Sequence, residues 1–131
     1  MSELATLTDP RSQVAEAYRS LRTNLAFVQP GHPLRALLVA GPAVAEADDA
    51  AVTLANLAVV AAQAGQRVVV VDADLRRPRQ HALFGLANDR GLSSALVAAT
   101  PDAPVPLQAT GVERLAVVTS GPPPPNPAEL L

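Results

Sequence analysis

The chain has 131 residues, one domain's worth, and is 49% hydrophobic with only Tyr18, Phe27 and Phe84 as aromatics, so its core must be built from alanine, valine and leucine. A formal net charge of −2 gives no electrostatic reason for general nucleic-acid or membrane-surface binding, and the absence of cysteine excludes disulfides and thiolate chemistry. All ten basic residues are arginine (11, 19, 22, 35, 67, 76, 77, 79, 90 and 114), so any mechanism that needs a lysine on a phosphate is closed to this chain acting alone.

The opening "MSELATLTDP" lacks the basic and apolar regions of a signal peptide, and no apolar run approaches the ~20 residues that span a bilayer. The expectation is a soluble cytoplasmic protein with no direct membrane insertion. Residues 9–28 read as a helix, capped by Asp9 or Ser12, with Pro10 suited to its first turn. Val14, Tyr18, Leu21, Leu25 and Val28 draw one apolar stripe, while Glu16, Arg19 and Arg22 lie on another face. "QPGHP" ends this helix. "LRALLVAG" (34–41) is an apolar run bounded by breakers and reads as a buried strand. A nearly all-round apolar helix follows from about Asp48 to Ala64, closing at Gly65. "QRVVVVDADL" reads as a second strand, covered on both faces, so that strand, helix and strand form a right-handed βαβ unit. Short helical pieces are expected around 79–84 and 92–98, a loop at "PDAPVP", and a third strand at 113–121. "PPPPNPAELL" reads as a polyproline connection leading into a helix with Asn126 as cap and Pro127 at its first position. A chain interrupted as a helix begins is the expectation there.

Asp72 and Asp74 in "VVVVDADLRRP" fall just past the carboxyl end of a buried strand, where open α/β sheets place ligand-binding groups. Paired carboxylates there can hold a Mg²⁺ directly or through its waters. Spacing alone leaves a second reading equally open, in which Asp72 caps the following turn and Asp74 is solvated.

"EAYRSLRTNLAF", "ANLAVVAAQAGQRVVVVDADLRRPRQHALFGL", "GLSSALV" and "GPPPPNPAELL" together resemble, in order and spacing, the cytoplasmic ATPase domain of bacterial tyrosine kinases, from about Leu7 to Leu131. The resemblance implies an α/β, P-loop NTPase-like (Rossmann-like) three-layer domain with a parallel sheet, incomplete at its C-terminus, occupying 1–131 as a single unit. It further implies a family acting in capsular and exopolysaccharide synthesis and export, binding ATP and Mg²⁺ and phosphorylating tyrosines in the tail of a neighbouring subunit. "DADLRRP" matches the family's second Walker motif, which makes Asp72 and Asp74 remnants of a cofactor and magnesium site. Glu16, Arg19 and Arg22 match its E-x-x-R-x-x-R helix, which joins subunits into a ring, so 9–28 becomes an oligomerisation-type helix. Without the resemblance the ordinary reading is a solvated face, since helical Glu–Arg pairs contribute only ~0.2–0.5 kcal/mol. Charge reversal at Arg19 and Arg22 is expected to leave the fold intact and abolish self-association.

The departures from the family lie in "VAGPAVAEADDAAVTLANLA" (39–58), where its loop reads Gly-x-Gly-Lys-Ser/Thr. Counting back from Asn56 puts Ala50 at the lysine, Ala51 at the hydroxyl, and Ala47 and Asp49 at the glycines. A two-residue shift puts Asp48 at the lysine and Ala45 and Ala47 at the glycines. A phosphate cradle needs glycines because its backbone approaches the phosphate closely, and it needs the lysine and the hydroxyl for charge and Mg²⁺. An aspartate about 5 Å from one phosphate charge costs roughly 3 kcal/mol at an effective dielectric near 20. Asp48 and Asp49 are expected instead to serve the helix N-terminus from within, as a cap and a first-turn acid. The resulting expectation is a non-catalytic, pseudokinase-like member of the family with ATP and Mg²⁺ lost, self-assembling or docking to a membrane polysaccharide co-polymerase-type adaptor. Two alternatives stand beside it: the N-terminal part of an active autokinase with an unusual nucleotide site, and a partition or septum-site ATPase relative. "EAYRSLR" and "PNPAELL" disfavour the last. The family's acidic Walker B strand and its tyrosine-rich tail would lie beyond residue 131. "RRPRQH" reads as a solvated turn ahead of an anion-binding one, and Tyr18 as a core residue.

Overall fold

The computed structural model describes residues 3–43, 47–98 and 100–131. Its elements follow in the order α1 (Ala5–Thr8), α2 (Gln13–Ala26), α3 (Ala47–Gln63), β1 (Val68–Val71), α4 (Gln80–Phe84), α5 (Leu92–Leu96), β2 (Gln108–Ala109), β3 (Leu115–Val118) and α6 (Pro127–Leu130).

Local chemistry sets several boundaries. Ser12 caps α2, its side chain accepting from the Ala15 amide at 3.1 Å. Gly65, at φ +94°, ends α3 in a left-handed turn: Gln66 N–H donates to the Ala61 carbonyl at 3.2 Å and Gly65 N–H to that of Ala62 at 2.9 Å. At α6, Pro127 takes the first turn as expected, but Asn126 donates to Glu129 Oε2 at 2.7 Å and caps no amide.

The sheet runs β1-β3-β2. β1 and β3 are parallel, from Val68 opposite Leu115 to Val71 opposite Val118. β2 is antiparallel to β3, with Gln108 opposite Val117. The sheet among the described residues is therefore mixed, because β2 reaches its neighbour through a short return, which only antiparallel strands allow. The core lies between α3 and one face of the sheet: Ala58, Val59 and Ala62 pack on Val70, Leu115 and Val117, with Leu54, Val68, Phe84 and Leu86 around them. The alanines of α3 let the helix lie close to the strands.

Four expectations need correction. The run at 34–41 joins no ladder among the described residues, and Leu34, Leu37 and Leu38 are 49%, 46% and 86% exposed. No βαβ unit forms around α3 among the described residues, because a strand exists only when a partner accepts its backbone. β1 is covered on one face alone: Val70 is buried by α3, whereas Val69 and Val71 are 56% and 45% exposed. In α2 the buried residue is Ala15, while Val14, Leu21 and Val28 of the apolar stripe are exposed and Tyr18 is half-buried. Close approach to α3 favours the small side chain over the longer apolar row. A short helix that the periodicity did not reveal, α1, lies against α3 through Thr6, which is fully buried.

Candidate functional site

Where β1 ends, the chain enters a turn organised by one carboxylate. Asp72 is buried; its Oδ1 accepts from Asp74 N–H at 3.1 Å, and its Oδ2 from the N–H groups of Arg79 and Gln80, both at 3.0 Å. Three backbone amides thus converge on Asp72 and fold residues 72–80 back on the strand end, setting the start of α4. Asp74 is exposed, and its Oδ1 accepts from Arg77 N–H at 3.0 Å. The capping role left open for Asp72 is what the hydrogen bonds assign to it. With two oxygens and about four lone-pair sites, it keeps little capacity for a cation. Asp74 retains its second oxygen. Among the described residues no group of three or more histidine, aspartate or glutamate side chains gathers in a way that could hold a metal.

The turn is bound to the start of α3 through Arg79. Its Nη1 lies 3.0 Å from Asp48 Oδ1, and its Nη2 pairs with Glu3 Oε2. Gln80 adds a second tie, its Nε2 donating to the Ala51 carbonyl at 3.0 Å, while its Oε1 is buried with no partner among the described residues. "RRPRQH" is therefore only partly a solvated turn: Arg76 and Arg77 are exposed, but Arg79 joins three distant parts of the chain. Asp48 and Asp49 both stand in the first turn of α3, which begins at Ala47. Asp48 accordingly is not the helix cap; its carboxylate turns toward Arg79. Ala45, assigned to a glycine position of the loop, lies outside the described residues, as does the side chain of Ala47.

Asn56 is a buried junction. Its Oδ1 accepts from Thr6 N–H at 3.1 Å and from the Thr6 hydroxyl at 2.8 Å. Its Nδ2 donates to the carbonyls of Glu3 and Val52, each at 3.0 Å. Apart from Val52, its partners at residues 3 and 6 lie 53 and 50 positions away, so no local signal marks the junction.

On α2, Arg19 donates to Glu16 Oε2 at 2.9 Å and to the Pro10 carbonyl at 2.9 Å. Arg22 Nη1 donates to the Val60 carbonyl of α3 at 3.0 Å. The three residues of the anticipated interface thus differ: Glu16 is exposed, Arg19 is half-buried in an intrahelical pair, and Arg22 fastens α2 to α3. Arg22 therefore also has a partner within the fold.

No family model matches the chain. It is 42% identical over 125 residues to tyrosine-protein kinase YwqD of Bacillus subtilis (strain 168), covering 95% of this chain and 52% of that protein. It is 38% identical over 123 residues to tyrosine-protein kinase Etk of Escherichia coli (strain K12), covering 94% of this chain and 16% of that protein. The solved kinase domain of Escherichia coli tyrosine kinase ETK matches it with a TM-score of 0.84 at 34% identity, over 98% of this chain and 49% of that one. The chimerical protein CapA2B2 matches with a TM-score of 0.82 at 38% identity, over 99% of this chain and 56% of that one. The chain belongs to the bacterial tyrosine-kinase family. Its α/β fold is the P-loop fold of those kinase domains. It spans about half the length of YwqD and of the solved domains. Asp72 and Asp74 follow the end of β1, and Asp48 and Asp49 open α3. Among the described residues no helix is long and apolar enough to cross a membrane.

Proposed function

We propose that this chain serves capsular or exopolysaccharide synthesis and export as a non-catalytic member of the bacterial tyrosine-kinase family, with ATP and Mg²⁺ binding lost. The Asp48–Arg79 pair carries the reading. In a working site the amide end of the helix and a nearby cation would meet phosphate oxygens; here a carboxylate of the chain meets the arginine at 3.0 Å. A triphosphate entering this turn would have to displace Asp48 and face both Asp48 and Asp49 with no lysine available in the chain. The residues present do not suit the nucleotide. Asp72, occupied by three amides, is likewise a poor magnesium ligand, and only Asp74 keeps an open oxygen.

On this reading the chain works by assembly at the inner face of the membrane, through copies of itself and a co-polymerase-type adaptor, with no nucleic-acid partner. Glu16 and Arg19 are the accessible part of the helical motif and the proposed contact between copies; Arg22 supports them from behind by holding α2 on α3. Calorimetric titration with ATP and Mg²⁺ tests the nucleotide half of the proposal. No heat of binding is expected, and micromolar affinity would overturn it. Sedimentation of Arg19→Glu tests the assembly half, with loss of self-association expected; a profile identical to that of the parent chain rejects Arg19 as a contact.

A further inference from the structure

Every residue from 26 to 38 is exposed, and the stretch carries Phe27 at 73%, Val28 at 65% and Leu34 at 49%. It leaves α2 beside the last turns of α3, where Arg22 Nη1 reaches the Val60 carbonyl at 3.0 Å. α3 closes at Gly65 and the chain enters β1 at Val68, so this is the end of the molecule at which the parallel strands begin. Val68 stands opposite Leu115, which sets Arg67 and Arg114 side by side just ahead of β1 and β3. Both are exposed, as is Arg35 at the far side of the loop. Among the described residues none of the three arginines enters an ion pair. Arg114 Nη1 donates to the Gly65 carbonyl at 3.5 Å, and the carboxylate beside it in the chain, Glu113, is exposed. Like charges at neighbouring ladder positions repel, a cost that an external anion would relieve. Asp48, Asp49, Asp72 and Asp74 stand at the opposite end, where β1 finishes and α3 begins.

We propose that the entry end of the sheet docks directly on an anionic membrane surface, with Phe27, Val28 and Leu34 in the headgroup layer and Arg35, Arg67 and Arg114 on the lipid phosphates. An exposed aromatic with aliphatic neighbours, flanked by basic side chains, is the chemistry that seats a peripheral protein at such an interface. The net charge of −2 does not oppose this, because its aspartates face away from the bilayer in that orientation. Nucleic acid would use the arginines but leave Val28 and Leu34 in water. A second copy would suit the apolar residues, but a two-fold contact would set arginine against arginine. The inference rests on the reading above only for the place where the chain works, at the inner face of the membrane. It adds a contact that needs no adaptor, and it is independent of whether nucleotide binds.

The test sediments the full 131-residue chain with vesicles of equal parts phosphatidylglycerol and phosphatidylcholine, and with vesicles of phosphatidylcholine alone. Binding to the anionic vesicles is expected to be at least tenfold the stronger and to fall as salt rises. Arg67→Glu combined with Arg114→Glu should weaken it at least tenfold, since each basic residue near the surface contributes about fivefold. Phe27→Asp should also weaken it at least tenfold, and its 73% exposure means that the fold does not depend on it. Arg76→Glu combined with Arg90→Glu, the same charge change at the opposite end, should bind as the parent does. The proposal fails if the chain stays in solution with both vesicles, binds both equally, or is released by the Arg76 and Arg90 pair as strongly as by the Arg67 and Arg114 pair. It fails too if Phe27→Asp binds as the parent does, if that variant breaks self-association in the absence of lipid, or if single-stranded DNA is bound as tightly as the vesicles. Failure on vesicles would leave the calorimetric and lipid-free sedimentation results, on which the proposed function stands, unchanged.

Discussion

Residues 34–41 and 68–71 are both short apolar runs bounded by breakers, yet only the second is a strand. Val68–Val71 has Leu115–Val118 to receive its amides and α3 to cover Val70; residues 34–41 have the same kind of side chains and no pairing partner among the described residues. Apolar composition states what a segment can bury, while a strand is a relation between two segments. The same contrast separates the strand end, where Asp72 accepts from three amides, from the run at 34–41.

The largest effect expected from breaking this contrast lies at the satisfied end. Asp72→Ala leaves three amides without their acceptor and should cost about 3 kcal/mol in denaturant unfolding. Gly91→Ala comes next. A Cβ there would meet the Thr119 carbonyl oxygen at 2.2 Å and the Gly121 nitrogen at 2.3 Å, both backbone, so about 2 kcal/mol should be lost. Asp48→Ala removes a surface ion pair and should change stability by no more than about 0.5 kcal/mol, which separates its proposed role in excluding phosphate from any role in folding. Leu38→Asp, in the open stretch, should leave unfolding of the isolated chain unchanged within about 0.5 kcal/mol. A loss of 2 kcal/mol there would mean that 34–41 is packed after all.

How much was legible follows from how local each signal is. The valine run of β1, the helix closing on Gly65 and the proline-led α6 are written in adjacent residues, and each stands where its pattern places it. Asp72 and Asp74 were found at a strand end, but the choice between ligand and turn depended on amides at 79 and 80 that spacing alone could not assign. Arg79, Asn56 and the bond from Arg22 to Val60 were missed or misread because each acts on partners remote in sequence. The outward-facing stripe of α2 shows the converse: periodicity marks an apolar row but does not tell which flank lies against a neighbour built of alanines. Asn88 is a further case, invisible in sequence yet receiving Gly121 N–H at 2.8 Å and donating to Ser120 Oγ at 3.1 Å.

Tyr18, half-buried on α2, is the sole tyrosine in a chain without tryptophan. Tyrosine emission therefore arises at one helix, so its quenching by iodide or acrylamide reads the seating of α2 directly, with no label attached. A rise in quenching on Arg22→Ala would register that helix lifting away before the rest of the molecule changes.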